Sequence, residues 1–435
     1  MTLDWTLTDP AARDRLLADA LRGGYVGEPR RGPLAGGRAE AVRRLHAYDP
    51  ARYARTRNFV DAPVSRLSPY LRHGMIAPPE VRDHLRATHA GAPEATEEFL
   101  RQLAWRDFFE HVLDWYGAAL DDDLEPPKHG VTRLNVLPPD VAAGRTGLPC
   151  VDGWLGRLFD AGYLHNHERL WFAAYLCHFR GVSWQQGAGL FRRFLYDGDW
   201  ASNSSSWQWV EGTFASKPYF MNKENIDRYS GGEWCRDCTA RCPFDAPYEQ
   251  LQHRLFAGNL APLAGTGGKS PAVPPRPPMA TGGLNGLPAA ARAVWVHDAA
   301  LSPADVALKT DPTAAAVFVF DAARLAADPW AFHRLAFVFD GVCELFAALP
   351  NPVKVVAVGD PAAVFRAMGV RELLVTDSPN PGVRGPLAEL SDVTVRPLPR
   401  PRLADYRGEP KRFTRYWEAV APQVLGYKPA RKPMR

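Results

Sequence analysis

The sequence predicts a chain in two parts, an all-helical half followed by a doubly wound parallel α/β half. Three observations predict it. Between Pro149 and Cys177, the residues Leu155, Leu158, Phe159, Leu170, Ala173, Ala174 and Cys177 recur at helical spacing with few charges between them, as buried helices do. After residue 290, strand-forming runs at 293–296, 315–320, 353–358, 373–376 and 393–395 alternate with helical runs such as 330–349, which argues for parallel strands joined by crossovers. Between the halves, residues 258–289 are rich in Pro, Gly and Ala and read as a linker.

Composition sets bounds. At 435 residues the chain can hold two or three domains with sizeable cores. Apolar and charged contents of 46% and 23% are ordinary for a globular protein, whereas thirteen tryptophans suit stacking surfaces and electron-hopping paths. A net charge of +4 permits a nucleic-acid partner without arguing for one. The acidic, proline-broken start M-T-L-D-W-T-L-T-D-P is not a signal peptide, and no apolar run approaches the roughly 18 residues of a spanning helix. Six cysteines over this length make no disulfide scaffold, so a cytoplasmic protein with no membrane partner is expected. The boundaries read as an N-terminal extension at 1–40, a helical domain at 41–257, a linker at 258–290, an α/β domain at 291–426 and a basic tail at 427–435.

In chain order, 11–21 suits a short helix, and 23–37 is a Gly/Pro/Arg loop whose arginines read as solvated. In Y-A-R-T-R-N-F-V-D-A-P-V-S-R-L-S-P-Y-L-R-H-G, from Tyr53 to Gly74, Ser68 before Pro69 is a helix start with serine as the N-cap. Free N–H groups there, with Ser65 and Arg66 beside them, suit a phosphate; an ordinary capped helix is the alternative. Between Phe99 and Tyr116, Gln102, Trp105, Arg106 and Phe109 fall on one helical face, an aromatic floor with one cation. Asn166 and Arg169 also share a face, and an arginine among buried helices needs a carboxylate, which Asp197 and Asp199 can supply. A structural salt bridge explains that arginine as well; a bound redox cofactor explains the whole mixture of polar groups and tryptophans. Cys235, Cys238 and Cys242 form C-x2-C-x3-C-P, the tail of a ferredoxin-type run, with four-thiolate zinc and free thiols as competitors. Cys177 and Cys343 sit in apolar runs and read as inert core.

The run D-G-D-W-A-S-N-S-S-S-W-Q-W, from Asp197 to Trp209, resembles the D-G-D-x-A-x-N-x-x-x-W-Q-W signature of the FAD-binding domain of DNA photolyases and cryptochromes. The resemblance implies that Tyr53, Ser65, Arg66, Leu67, Ser68, Gln102, Arg106, Asn166, Arg169, Asp197, Asp199 and Asn203 contact FAD, with Ser65, Arg66 and Ser68 at the pyrophosphate. It implies electron transfer through Trp207 and Trp184, with Trp209 nearby, and a lesion-facing role for Trp105 and Gln102. Asn203 would face flavin N5. No tryptophan in 118–147 matches the outer member of the family's usual three. Val64 stands where the family usually has threonine, and Gln102 where cyclobutane-dimer photolyases usually have glutamate; glutamine there is more like cryptochromes and (6-4) photolyases.

A-S-K-P-Y and I-D-R-Y-S before the cysteine run are similar to the iron–sulfur bacterial cryptochromes and photolyases. That likeness implies a [4Fe–4S] cluster on Cys235, Cys238 and Cys242, with Cys150, sixteen residues before Asn166, as fourth ligand; the loop between the second and third clustered cysteines is shorter here. The α/β half, with V-W-V-H-D, V-F-V-F-D and V-G-D-P, resembles the photolyase antenna domain, and G-E-P-K-R-F-T-R-Y-W resembles the segment that follows it. Because that domain comes first in the family and last here, the chain looks circularly permuted. Its shortened first crossover speaks against a second, antenna chromophore. The resemblance implies a light-driven flavoprotein, a photolyase-like lyase acting as a monomer on UV-damaged DNA, or a cryptochrome-like photoreceptor without repair activity.

Overall fold

The computed structural model describes residues 1–128, 133–257, 279, 283–284 and 286–429; most of the expected linker and residues 430–435 of the expected tail lie outside the described residues. The helices that set the site, labelled in chain order, are α1 (Pro10–Ala20), α2 (Ser68–Arg72), α3 (Glu97–Tyr116), α4 (Pro149–Gly156), α5 (Asn166–Ala174), α6 (Trp184–Phe194) and α7 (Ala201–Glu211). Each follows from local chemistry. Glu97 and Glu98 face the positive end of α3, and Gly117, at φ 55°, ends it. His165 and Glu168 close a reciprocal capping box on α5. Gly187 lets α6 pass close to α7, since a Cβ there would lie 2.1 Å from the Trp207 ring.

The α/β half is as the sequence predicts, with strand ends shifted by one to three residues and the helical run at 330–349 opening with two strand residues. Its strands are β2 (Arg292–Trp295), β3 (Ala315–Asp321), β5 (Lys354–Gly359), β6 (Glu372–Thr376) and β7 (Thr394–Leu398), all parallel in the order β5-β3-β2-β6-β7. Register runs straight across the core, with Val294 beside both Ala316 and Leu374. The order reverses at β2 and β6, the switch point where such sheets bind ligands. Two further helices matter, α8 (Phe332–Ala348) behind the sheet and α9 (Phe413–Leu425), which returns to pack on α3.

Residues 1–40 are tied into the α/β half. Leu3 N–H donates to Val356 O and Val358 N–H to Met1 O, both at 2.8 Å, so this segment pairs with the outer strand β5. The loop at 23–37 contributes a short strand, β1 (Tyr25–Val26), parallel to β4 (Trp330–Ala331), where the sequence reads only loop and helix. Its arginines are not all solvated. Arg31 joins Arg13 on the buried Asp340, because a carboxylate on the apolar α8 needs a countercharge.

Buried polar contacts join the halves. Arg72 pairs with Asp298 at 2.9 Å, His73 lies between Asp298 O and Tyr196 O, and Arg334 donates to Gly198 O at 2.6 Å. One assignment needs correction: Leu67 occupies the N-cap position of α2 with no side-chain cap bond, and Ser68 is the first helical residue. The helix begins one residue earlier because Leu67 already has helical dihedrals.

Candidate functional site

A cavity of about 300 Å³ opens among the segment before α2 and helices α3, α5, α6 and α7. Its wall brings together Ser65, Leu67, Ser68, Gln102, Trp105, Arg106, Asn166, Arg169, Asp197, Asp199, Asn203 and Trp207, which the sequence scatters over more than 140 positions.

Two ion pairs frame it. Arg169 on α5 meets Asp197 at 3.0 Å and anchors its Nε on Leu164 O; Arg106 on α3 meets Asp199 at 3.2 Å. The two aspartates sit on either side of Gly198 in the turn between α6 and α7, so one short turn carries both anions into the cavity. Ser202 N–H donates to Asp199 Oδ1 at 2.6 Å and fixes that carboxylate at the start of α7. Burial alone would raise the Asp197 pKa, but the charge of Arg169 and the nearby Ser68 hydroxyl hold it below the ordinary carboxylate value. It is an anion at neutral pH.

The remaining wall is aromatic and amide. Trp207 is buried, edge-on to Phe191 at 5.1 Å. Trp105 lies flat against Phe413 of α9, with centroids 3.7 Å apart and planes 10° apart. Asn203 Nδ2 donates to Ala188 O at 2.7 Å, and Gln102 Nε2 donates to Glu98, itself paired with Arg57. Three expected residues lie off this wall. Tyr53 stands behind it, edge-on to Phe99. Arg66 turns away to place its guanidinium over the Tyr163 ring at 4.9 Å, with a positive φ of 50°. Trp184 is buried on α6, farther from the cavity than Trp207.

The wall suits a large ligand with an apolar ring system and many heteroatoms. Arg106 Nε and the Ser202 hydroxyl are buried and find no hydrogen-bond partner among the described residues, a cost that a polar occupant would remove. FAD fits that donor set.

A second cavity, of about 130 Å³, lies at the carboxyl ends of β2 and β6, lined by His297, Asp305, Thr376, Ser378 and Arg400. The sequence reading missed it, although the switch point of a doubly wound sheet was a signal for it. His297 Nε2 is 2.8 Å from Thr376 O, and Thr376 donates to Asp305 at 2.7 Å. Leu71, Arg106 and Asp199 belong to both cavity walls.

Cys150, Cys235, Cys238 and Cys242, though up to 92 positions apart, line one small cavity with Trp234, Lys223 and Phe244. Burial, with the neighbouring thiols, pushes Cys150 up to about 12; burial pushes Cys235 up to about 11. Among the described residues no three His, Cys, Asp or Glu side chains converge closely enough to hold a single metal ion. Cys177 and Cys343 are buried, their thiols pushed up by burial, as expected of inert core. No helix among the described residues is long and apolar enough to cross a membrane.

Residues 99–230 match the family described as FAD binding domain of DNA photolyase. A deoxyribodipyrimidine photo-lyase of Streptomyces griseus is 38% identical over 150 residues, covering 34% of this chain and 32% of that protein. The same-named protein of Thermus thermophilus is 33% identical over 216 residues, covering 46% and 49%. Among solved structures, a cryptochrome of Synechocystis sp. PCC6803 matches at 25% identity and a TM-score of 0.42, covering 47% of this chain and 46% of that one. In these comparisons the chain spans about a third to a half of the length of the relatives it matches.

Proposed function

This chain belongs to the photolyase/cryptochrome family through residues 99–230, and we propose that it is an FAD-dependent, light-driven electron-transfer flavoprotein that repairs UV-damaged pyrimidines in DNA as a photolyase-like lyase. The observation that carries the proposal is the turn at Asp197 and Asp199, whose two buried carboxylates are each met by a half-buried arginine inside one cavity. When bound there, FAD supplies light-driven one-electron chemistry.

The chain's own residues then have distinct tasks. Ser65, Leu67 and Ser68 hold the pyrophosphate side, while Asn166, Arg169, Asp197, Asp199 and Asn203 orient the ring and ribitol. Arg66, turned onto Tyr163, shapes the backbone of that segment rather than reaching the cavity. Trp207, on the cavity wall, passes electrons inward from Trp184. Trp105, held flat by Phe413, offers a stacking face to a base turned out of the duplex. Four cysteines around one chamber beside the Lys223 ammonium fit a [4Fe–4S] cluster, and the order of the two halves fits a circular permutation.

Gln102 favours a second reading, a cryptochrome-like photoreceptor without repair activity, because a neutral amide stands on the cavity wall where dimer photolyases usually place a glutamate. One experiment separates the two. The purified protein is illuminated with reductant and UV-irradiated oligonucleotides; reversal of either lesion supports repair. Normal flavin photoreduction with no reversal of either lesion supports the photoreceptor, and failure to bind FAD at all overturns both.

A further inference from the structure

Trp184 is almost fully buried, at 1% exposure, and its indole Nε1–H donates to Asp123 Oδ1 at 2.8 Å. The other oxygen of Asp123 accepts from Arg133 at 3.1 Å, and Arg133 also pairs with Glu211. The Asp123 side chain is 28% exposed, so the carboxylate has one side on the indole and another on solvent.

A buried indole does not need a carboxylate to be satisfied. Trp171 Nε1 uses the neutral amide of Asn225, at 3.0 Å. The buried Trp154 and Trp295 find no partner for Nε1 among the described residues. The placement along the chain is also informative. Trp207 lies on the cavity wall and against Gly187, and Trp184 stands one helical turn before Gly187 on α6. Residues 118–147 contain no tryptophan that could extend this line of indoles, and that same stretch supplies Asp123 and Arg133.

We propose that Asp123 is the proton acceptor of Trp184, and so makes that indole the outer end of the electron path. The inference rests on the light-driven reading above, in which the photoexcited flavin is the oxidant. Trp184 gives one electron toward Trp207, leaving an indole radical cation whose N–H is far more acidic than that of the parent ring. The N–H bond breaks, its proton forms an O–H bond on Asp123 Oδ1, and a neutral indolyl radical remains beside a neutral carboxyl. One electron has moved inward and one proton outward. Electron return then requires proton return, which delays recombination, while the exposed side of Asp123 lets the proton leave. Arg133 is a positioning residue that holds the carboxylate in line.

The test is Asp123→Asn, which keeps an acceptor oxygen but cannot take the proton. Transient absorption of the FAD-loaded protein should show the Trp184 radical cation persisting about a hundredfold longer than in the parent, with its solvent deuterium effect lost. Equal lifetimes and equal deuterium effects overturn the assignment of Asp123. Trp184→Phe tests the underlying path separately: tryptophan radical yield undiminished in that variant overturns the path itself. A cofactor-free readout is the 15N spectrum of the indole groups, in which the Trp184 resonance should move in Asp123→Asn while Trp171 stays. An unmoved resonance overturns the hydrogen bond and the proposal with it. Asp123→Glu should restore fast deprotonation, and Asp123→Ser gives the same reading as asparagine should the latter fail to fold.

Discussion

The Arg334 guanidinium, carried by the α/β half, donates at 2.6 Å to the carbonyl of Gly198, the residue between the two cavity aspartates. It also donates to Arg192 O and lies over the Trp330 ring at 3.9 Å. The turn that presents both carboxylates is therefore held from behind by the other half of the protein.

Replacing Arg334 by methionine should destabilise the fold by about 3 kcal/mol and weaken FAD retention. Two hydrogen bonds from a buried, charged donor are lost, at roughly 1.5–3 kcal/mol each, while relief of repulsion with Arg72 offsets part of that. Urea unfolding and flavin content check both effects. Arg334→Lys should recover only part, since an ammonium cannot reach both carbonyls as the fork does.

Stability in acid should depend on Asp298. Burial alone would raise its pKa, yet the charges of Arg72 and Arg324 hold it well below the usual carboxylate range. A carboxyl depressed in the folded state contributes stability that is present above its unfolded value, about 3.9, and is lost as pH falls toward the folded value. Asp298→Asn should cost about 3 kcal/mol at neutral pH and flatten the decline below about pH 4, so that the two proteins converge in strong acid. Urea midpoints across that range decide it; parallel curves would contradict the pairing.

Gly187→Ala should lower stability although alanine is the better helix former. The propensity gain is about 1 kcal/mol, whereas a methyl 2.1 Å from the Trp207 ring forces overpacking at about 1–3 kcal/mol or more. A lower melting temperature with a shifted Trp207 emission would show it; a rise in melting temperature would contradict the close packing.

Anaerobically purified protein should carry about four irons and four sulfides per chain, and Cys150→Ser should remove most of them while leaving FAD bound. Elemental analysis is sufficient. One zinc per chain with no iron would replace the cluster by a mononuclear site.

Much of the site was legible because it depends on short-range pattern. Asn166 and Arg169, or Gln102, Trp105 and Arg106, share a helical face by spacing alone, and the D-G-D turn placed its carboxylates in sequence. The strands were legible because buried parallel strands are continuous apolar runs. What could not be read depends on distant partners. Nothing near Arg334 or Arg72 in the chain announces Gly198 or Asp298, and Asp123 stands among acidic neighbours without marking its indole. Ser68 was misplaced as a cap because dihedrals, not residue type, decide where a helix begins.

Arg106 and Asp199 stand in the partition between the main cavity and the smaller one at the sheet's switch point. A ligand that reaches this partition from either chamber meets the same ion pair, so the two occupancies share one electrostatic ledger. By thermodynamic reciprocity, a molecule in the smaller chamber that strengthens flavin binding must itself be held more tightly by the same factor once the flavin is in place.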